Sequence, residues 1–342
     1  MRPYQLILSV GFTAAGLFLP VFSWGQSPSM ADLKKGFVRP TEIPYAAETP
    51  YSPERESLGK ALFFDPRLSG SNMISCATCH NPSFSWGDGL KVGVGHSHKA
   101  LGRRSPFILN LAWSPKLMWD GRAPDLEAQA LGPIESEAEM NMKLDGAGGL
   151  VKKLSGIAGY KPLFEKAFPG EPITTKNVGR AIGVFERGII SGEAPFDRFI
   201  KGDESAISEP AKRGFVLFNT TAKCVACHAG WSFTDGSFHD IGVPGKDIGR
   251  GKFVKLKSQQ SAFKTPGLRN VALRGPYMHD GSESSLEKVI ELYEKGGRAK
   301  RPSLSDSIKP LKLSVQDKGD LLEFLNTLTS VDEPITFPVL PR

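Results

Sequence analysis

All four cysteines of this 342-residue chain fall in two motifs of one spacing, Cys76-Ala-Thr-Cys79-His80 and Cys224-Val-Ala-Cys227-His228. Cysteines at i and i+3 share one side of a helical turn, from which both sulfurs can reach the two vinyl groups of a single haem. The His that follows is carried under the ring, where a ring nitrogen can ligate iron. Other uses of the cysteines fit less well. A four-cysteine zinc site has no need of His after both pairs, and it spaces its pairs by tens of residues where these lie 148 apart. A thioredoxin-like site takes one pair within a βαβ unit. Disulfides across C-x-x-C would close loops too short to constrain the unfolded chain much. The motifs predict two covalent c-type haems, one held by Cys76, Cys79 and His80, the other by Cys224, Cys227 and His228.

One motif in each half, in a chain longer than the roughly 250 to 300 residues at which single cores stop growing, predicts two domains. Similar flanks support duplication: Leu58-Gly-Lys-Ala-Leu-Phe-Phe64 and Lys212-Arg-Gly-Phe-Val-Leu-Phe218 precede the motifs, and Phe84-Ser-Trp-Gly-Asp-Gly89 and Phe233-Thr-Asp-Gly236 follow them. Helical period dominates elsewhere. Thr174 or Thr175 can cap a helix carrying Val178, Ile182, Phe185 and Ile189; Ser208 opens another reaching Phe218; Ser314 with Asp317 opens a third with Leu321, Leu322, Leu325 and Leu328 inward. The expected fold is mostly α: two cytochrome c-like domains, each with one covalently bound haem, joined by long loops. The 37 Gly and 26 Pro, without a three-residue period, supply those loops. The partition is a signal peptide at 1–25, a first haem domain at 26–200 and a second at 201–342, with 192–208 as linker. A tail marked by Pro334, Pro338 and Pro341 is expected to pack back on the first domain.

The signal assignment rests on Arg2, an apolar run from Leu6 to Phe22, and Ser23 and Gly25 at the −3 and −1 positions. The run is short for a membrane span and contains Gly11, Gly16 and Pro20. The expectation is the periplasm, with no span after cleavage. The net charge of +7 is scattered and matches no nucleic-acid motif, so it points to an acidic partner or to anionic groups of a cofactor.

The remaining axial positions decide the chemistry, since iron with two strong protein ligands only passes electrons and iron with an open face can bind peroxide. For the first haem, His96 and His98 stand in Val92-Gly-Val-Gly-His96-Ser-His98, a loop able to reach the haem or to remain in solvent. For the second, the candidates are Met278, His279 and Tyr293. Ser285 can cap a helix with Leu286, Val289, Ile290 and Tyr293 on one face, and period alone favours Tyr293 as a core residue with a bonded hydroxyl. Trp119 reads as core or as a π-system between haems. Glu139 reads as a surface carboxylate or as the acid–base group of O–O cleavage.

The two motifs, Trp119-Asp-Gly-Arg-Ala123, Gln129-Ala-Leu-Gly-Pro133-Ile, Thr265-Pro-Gly-Leu-Arg-Asn270-Val-Ala-Leu and Pro276-Tyr-Met-His-Asp-Gly281 together resemble the bacterial dihaem cytochrome c peroxidase family, MauG subgroup included, over about residues 50 to 328. The resemblance implies that His80 is proximal to a peroxidatic haem, His228 proximal to a relay haem, and Trp119 the bridge. The peroxidases place a Met ligand where this chain has Tyr, as MauG does, so the resemblance implies Tyr293 as a ligand of the relay haem; Gln129, Pro133 and Glu139 resemble the MauG distal pocket, which implies that Glu139, helped by Gln129, assists O–O cleavage. The implied function is oxidation, by hydrogen peroxide, of a Trp or Tyr on a partner protein, as in MauG-like relatives including the methanobactin-associated MbnH type. The alternative is reduction of peroxide to water with electrons from a small cytochrome c or cupredoxin, with His96 as a leaving distal ligand. A pure electron carrier is a third reading. The peroxidases' interhaem calcium uses an Asn fifteen residues before the bridging Trp; Arg104 stands there in this chain, which puts calcium in doubt.

Overall fold

The computed structural model describes residues 28–342; the signal segment expected at 1–25 lies outside them. Helices dominate: α1 (Met30–Lys35), α2 (Pro53–Phe64), α3 (Cys76–Cys79), α4 (Leu126–Glu135), α5 (Leu150–Ser155), α6 (Tyr160–Ala167), α7 (Thr175–Arg187), α8 (Pro195–Ile200), α9 (Glu209–Asn219), α10 (Leu286–Glu294) and α11 (Val315–Asn326). The strands among the described residues are β1 (Phe238–His239) and β2 (Phe263–Lys264), paired antiparallel. The expected caps hold. Thr174, Ser208, Ser285 and Ser314 each accept from the backbone N–H three residues on.

Two cores form. The first gathers Leu58, Phe63, Trp86, Ile134, Ile182 and Phe185; the second gathers Phe196, Phe215, Phe233, Leu286, Leu321 and Phe324. In each, two helices cross at a glycine. A Cβ on Gly59 of α2 would lie 1.9 Å from the Ala181 carbonyl oxygen and 2.9 Å from Phe185 Cβ of α7. A Cβ on Gly214 of α9 would lie 1.9 Å from the Asp320 oxygen and 2.8 Å from Phe324 Cβ of α11. Only a residue without Cβ allows this approach, and the match sets α7 and α11 in register, Phe185 with Phe324.

The segments between the motifs and the last helices also repeat, 160 residues apart. Asn110, Met118 and Gly121 have φ of 62°, 69° and 66°; Asn270, Met278 and Gly281 have 57°, 72° and 63°. Bridges Leu117 to Ala123 and Tyr277 to Glu283 close the same turn in each copy. The copies interlock: Arg104 N donates to the His279 carbonyl and Lys264 N to the Trp119 carbonyl, both at 2.8 Å.

The two ends of the described region cross over. Phe37 and α1 pack on the second core. Ile335 packs on the first, Phe337 meets Phe64 edge-on at 5.3 Å, and the Arg342 carbonyl accepts from Gly159 N at 2.8 Å. The segment expected as a linker holds α8 instead, with Phe196 and Phe199 fully buried in the second core. Its Gly, Pro and charges flank two aromatics one helical turn apart, and burying those rings outweighs the polar surroundings. The second core thus draws on residues both sides of position 200.

Candidate functional site

Each C-x-x-C-H motif opens into a cavity. Ser75 N donates to Thr78 Oγ1 at 3.0 Å, which sets up the single turn of α3 that presents Cys76 and Cys79; a 3-10 turn at Cys224–Ala226 does the same in the second half. Cys76, Cys79 and His80 line one cavity together with Gln129, Pro133 and Glu139. Cys224, Cys227 and His228 line the other together with Met278, His279 and Tyr293. The first cavity holds about 460 Å³ and the second about 200 Å³. Trp119 and Arg104 line both cavities and so form the wall between them. Trp119 Nε1 is fixed by donating to the Arg104 carbonyl at 2.8 Å.

These donor sets fit haem. No cysteine among them is in a disulfide. Burial pushes the Cys79 thiol up to about 11 and the Cys224 thiol to about 12, so both are held as neutral thiols. His228 Nδ1 lies 2.9 Å from the Phe233 carbonyl. A carbonyl only accepts, so Nδ1 carries the proton and Nε2 keeps the lone pair a metal requires. Burial also lowers the pKa of both His80 and His228, which favours the neutral, ligating form. His80 Nδ1 is buried without a partner among the described residues.

In the first cavity, Gln129 and Pro133 sit one turn apart on α4. Pro133 lacks an N–H, which frees the Gln129 carbonyl from the helix ladder. The Gln129 amide donates toward Met118 Sδ at 3.6 Å, and Glu139 reaches the same cavity half-buried. Gly95 lines the cavity and His96 is not among the lining residues; His96 Nδ1 is buried and unbonded among the described residues, and His98 is exposed.

In the second cavity, α10 places Val289 and Tyr293 at the positions of Gln129 and Pro133. The Tyr293 phenol faces the cavity, and no hydrogen bond to its hydroxyl exists among the described residues. Burial pushes its pKa well up. The contrast with Tyr160 is direct, since that buried hydroxyl donates to Asp65 Oδ2 at 2.7 Å. The bonded core tyrosine favoured by helical period is therefore not what position 293 holds. His279 is stacked on Phe263, ring centroids 3.6 Å apart. Two cavity residues carry no signal in the sequence: Lys264, half-buried and pushed down to about 8 by desolvation, and Glu186. Aligning the halves on Asn110 and Asn270 pairs Lys264 with Arg104; Glu186 emerges only from the register of α7 with α11.

The family model for di-haem cytochrome c peroxidase matches residues 53–205. The methylamine utilization protein MauG of Methylorubrum extorquens is 52% identical over 91% of this chain and 88% of that protein. The cytochrome c551 peroxidase of Pseudomonas aeruginosa is 32% identical over 88% of this chain and 86% of that protein. Among solved structures, a MauG-like protein associated with microbial copper homeostasis matches with a TM-score of 0.78 at 32% identity, over 85% of this chain and 95% of that one.

Proposed function

Because the chain belongs to the di-haem cytochrome c peroxidase family, whose members are peroxide-dependent oxidoreductases with two c-type haems, we propose that it uses hydrogen peroxide in the periplasm to oxidise a Trp or Tyr of a partner protein. Likeness at 52% identity to a methylamine utilization protein MauG supports a protein partner as the substrate. The observation that carries the reading is the pairing of Pro133 with Tyr293 at matched helix positions, one without a ligand atom and one with an unbonded phenol.

Cys76 and Cys79 would hold one haem by thioethers, with His80 as a ligand of its iron; Cys224, Cys227 and His228 would do the same for the other, with Tyr293 as a further ligand. Haem iron supplies peroxide binding and O–O cleavage where one face stays open, and electron transfer alone where two strong ligands fill it. Pro133 puts no ligating atom into the first cavity. Gln129 donates from its amide, and the Glu139 carboxylate takes the proton of the nearer peroxide oxygen and delivers it to the farther one. Trp119 passes electrons between the cavities. Two electrons leave the partner residue as peroxide and two protons become two waters. Tyr293→Met tests the assignment: the potential of the second haem rises and its spectrum changes. An unchanged potential and spectrum remove the ligand claim, and with it the MauG-like reading.

The small-cytochrome peroxidase reading keeps one observation in its favour, the unbonded His96 Nδ1 next to Gly95 at the first cavity. It requires a half-reduced protein far more reactive than the ferric one, and His96→Gly removes that difference.

A further inference from the structure

One carboxyl distinguishes the two cavities at a helix position that otherwise matches. With Phe185 in register with Phe324, Glu186 of α7 stands where α11 has Leu325. Both side chains line their cavities, and both are buried, 3% and 9% exposed. The position accepts an apolar side chain in one half, so packing does not demand the acid in the other.

The Glu186 carboxyl makes no hydrogen bond among the described residues, and Oε2 is buried without a partner. The neighbouring cation is committed elsewhere: Arg187 Nη1 and Nη2 grip Glu127 of α4 at 2.7 and 3.0 Å. Cys76 of α3 lies close enough to feel the Glu186 charge and as a thioether would not titrate; α2 brings Glu56, whose Oε1 would lie 3.6 Å from a Cβ on Gly188, and Lys60; His80 and Glu139 line the same cavity. The turn Leu111–Trp113 brings no charge. Burial, opposed by Arg187 and reinforced by Glu127, pushes Glu186 up to about 8. An unpaired buried carboxylate is costly, so the group rests as the neutral acid at neutral pH.

We propose that Glu186 couples proton release to oxidation of the first haem, a role Leu325 cannot fill at the second. The inference rests on the haem assignment above. Oxidation removes one electron from the iron and leaves one more positive charge in the cavity. That charge favours the carboxylate, so Glu186 releases one proton to solvent; reduction returns one proton with the electron. Glu186 acts as a tuning residue and touches no peroxide.

The test is potentiometry of each haem in the holoprotein between about pH 6 and about pH 9, in the wild type, Glu186→Gln and Glu186→Leu. In the wild type the first-haem equilibrium shifts by up to tenfold per pH unit, which for one electron is about 59 mV, and both variants flatten that slope. The second-haem slope is the same in all three. An oxidised-minus-reduced infrared difference spectrum shows loss of a protonated carboxylic C=O band in the wild type and no such loss in Glu186→Gln. Leu occupies the matched position in the other half, so Glu186→Leu retains the fold and separates charge from packing. Equal first-haem slopes in wild type and Glu186→Gln, or no carboxylic band, overturn the proposal. A wild type inert to peroxide but with the Glu186-dependent slope would sink the functional reading alone.

Discussion

Residues 104–135 and 264–295 carry the same left-handed turns, the same bridges and a helix capped at Asp125 or Ser285. Yet α4 presents Gln129 and Pro133 to the first cavity, and α10 presents Val289 and Tyr293 to the second. The backbone of each copy is constrained by its partner, through the reciprocal bonds Arg104 to His279 and Lys264 to Trp119. The side chains at i and i+4 of the helix are not so constrained. One scaffold can therefore host two chemistries, because coordination depends on a few atoms while folding depends on the turns and the helix crossings.

The comparison breaks most completely if the difference is erased. Pro133→Tyr puts a phenol at the first cavity; peroxide reactivity of the ferric protein, followed by stopped-flow absorbance, should fall below detection, and full retention would deny that this position controls access to iron. Glu139→Gln keeps the shape of the cavity and removes the proton carrier. Its reaction with peroxide should slow by about 10²- to 10⁴-fold, the usual contribution of a positioned acid–base group, with haem spectra unchanged before peroxide is added.

Smaller effects test what the halves share. Gly59→Ala and Gly214→Ala drive a Cβ into the facing carbonyl oxygen, and each should cost about 1–3 kcal/mol by denaturant titration. Similar losses in both would sharpen the duplication, and a loss at one alone would contradict it. Last comes acid stability. Burial raises the Asp65 pKa, but bonds from Arg67 and Tyr160 outweigh it and hold the carboxyl below its ordinary value. Burial likewise raises Asp240, and Arg301 and Ser303 outweigh it. A depressed folded pKa stabilises the protein above the unfolded value near 3.9, and that stability is lost as pH falls below it. Asp65→Asn and Asp240→Asn should each flatten the dependence of the unfolding midpoint on pH below about 4.

Much of this was legible in the chain. Cys76 to His80 and Cys224 to His228 announce two haem sites because covalent attachment needs that spacing, and α7, α9, α10 and α11 announce themselves by caps and a 3.6-residue period. Tyr293 was not legible from period. Its position on the apolar face predicts a bonded core tyrosine, and only the three-dimensional cavity leaves the phenol unbonded. The α8 segment reads as linker from sequence because two Phe side chains weigh little in a window full of Gly, Pro and charge. Glu186 was invisible for a related reason: one acid within an amphipathic helix reads as surface until the register of α7 with α11 places it inward.

The most direct test of the unequal halves is optical and EPR spectroscopy of the fully ferric holoprotein, before and after one equivalent of hydrogen peroxide, with no reductant. The account predicts one high-spin and one low-spin haem at rest, and conversion by peroxide to a long-lived oxidised state in which both haem signals change together. Two low-spin haems that stay inert until one is reduced would contradict it, and would return His96 to the first haem.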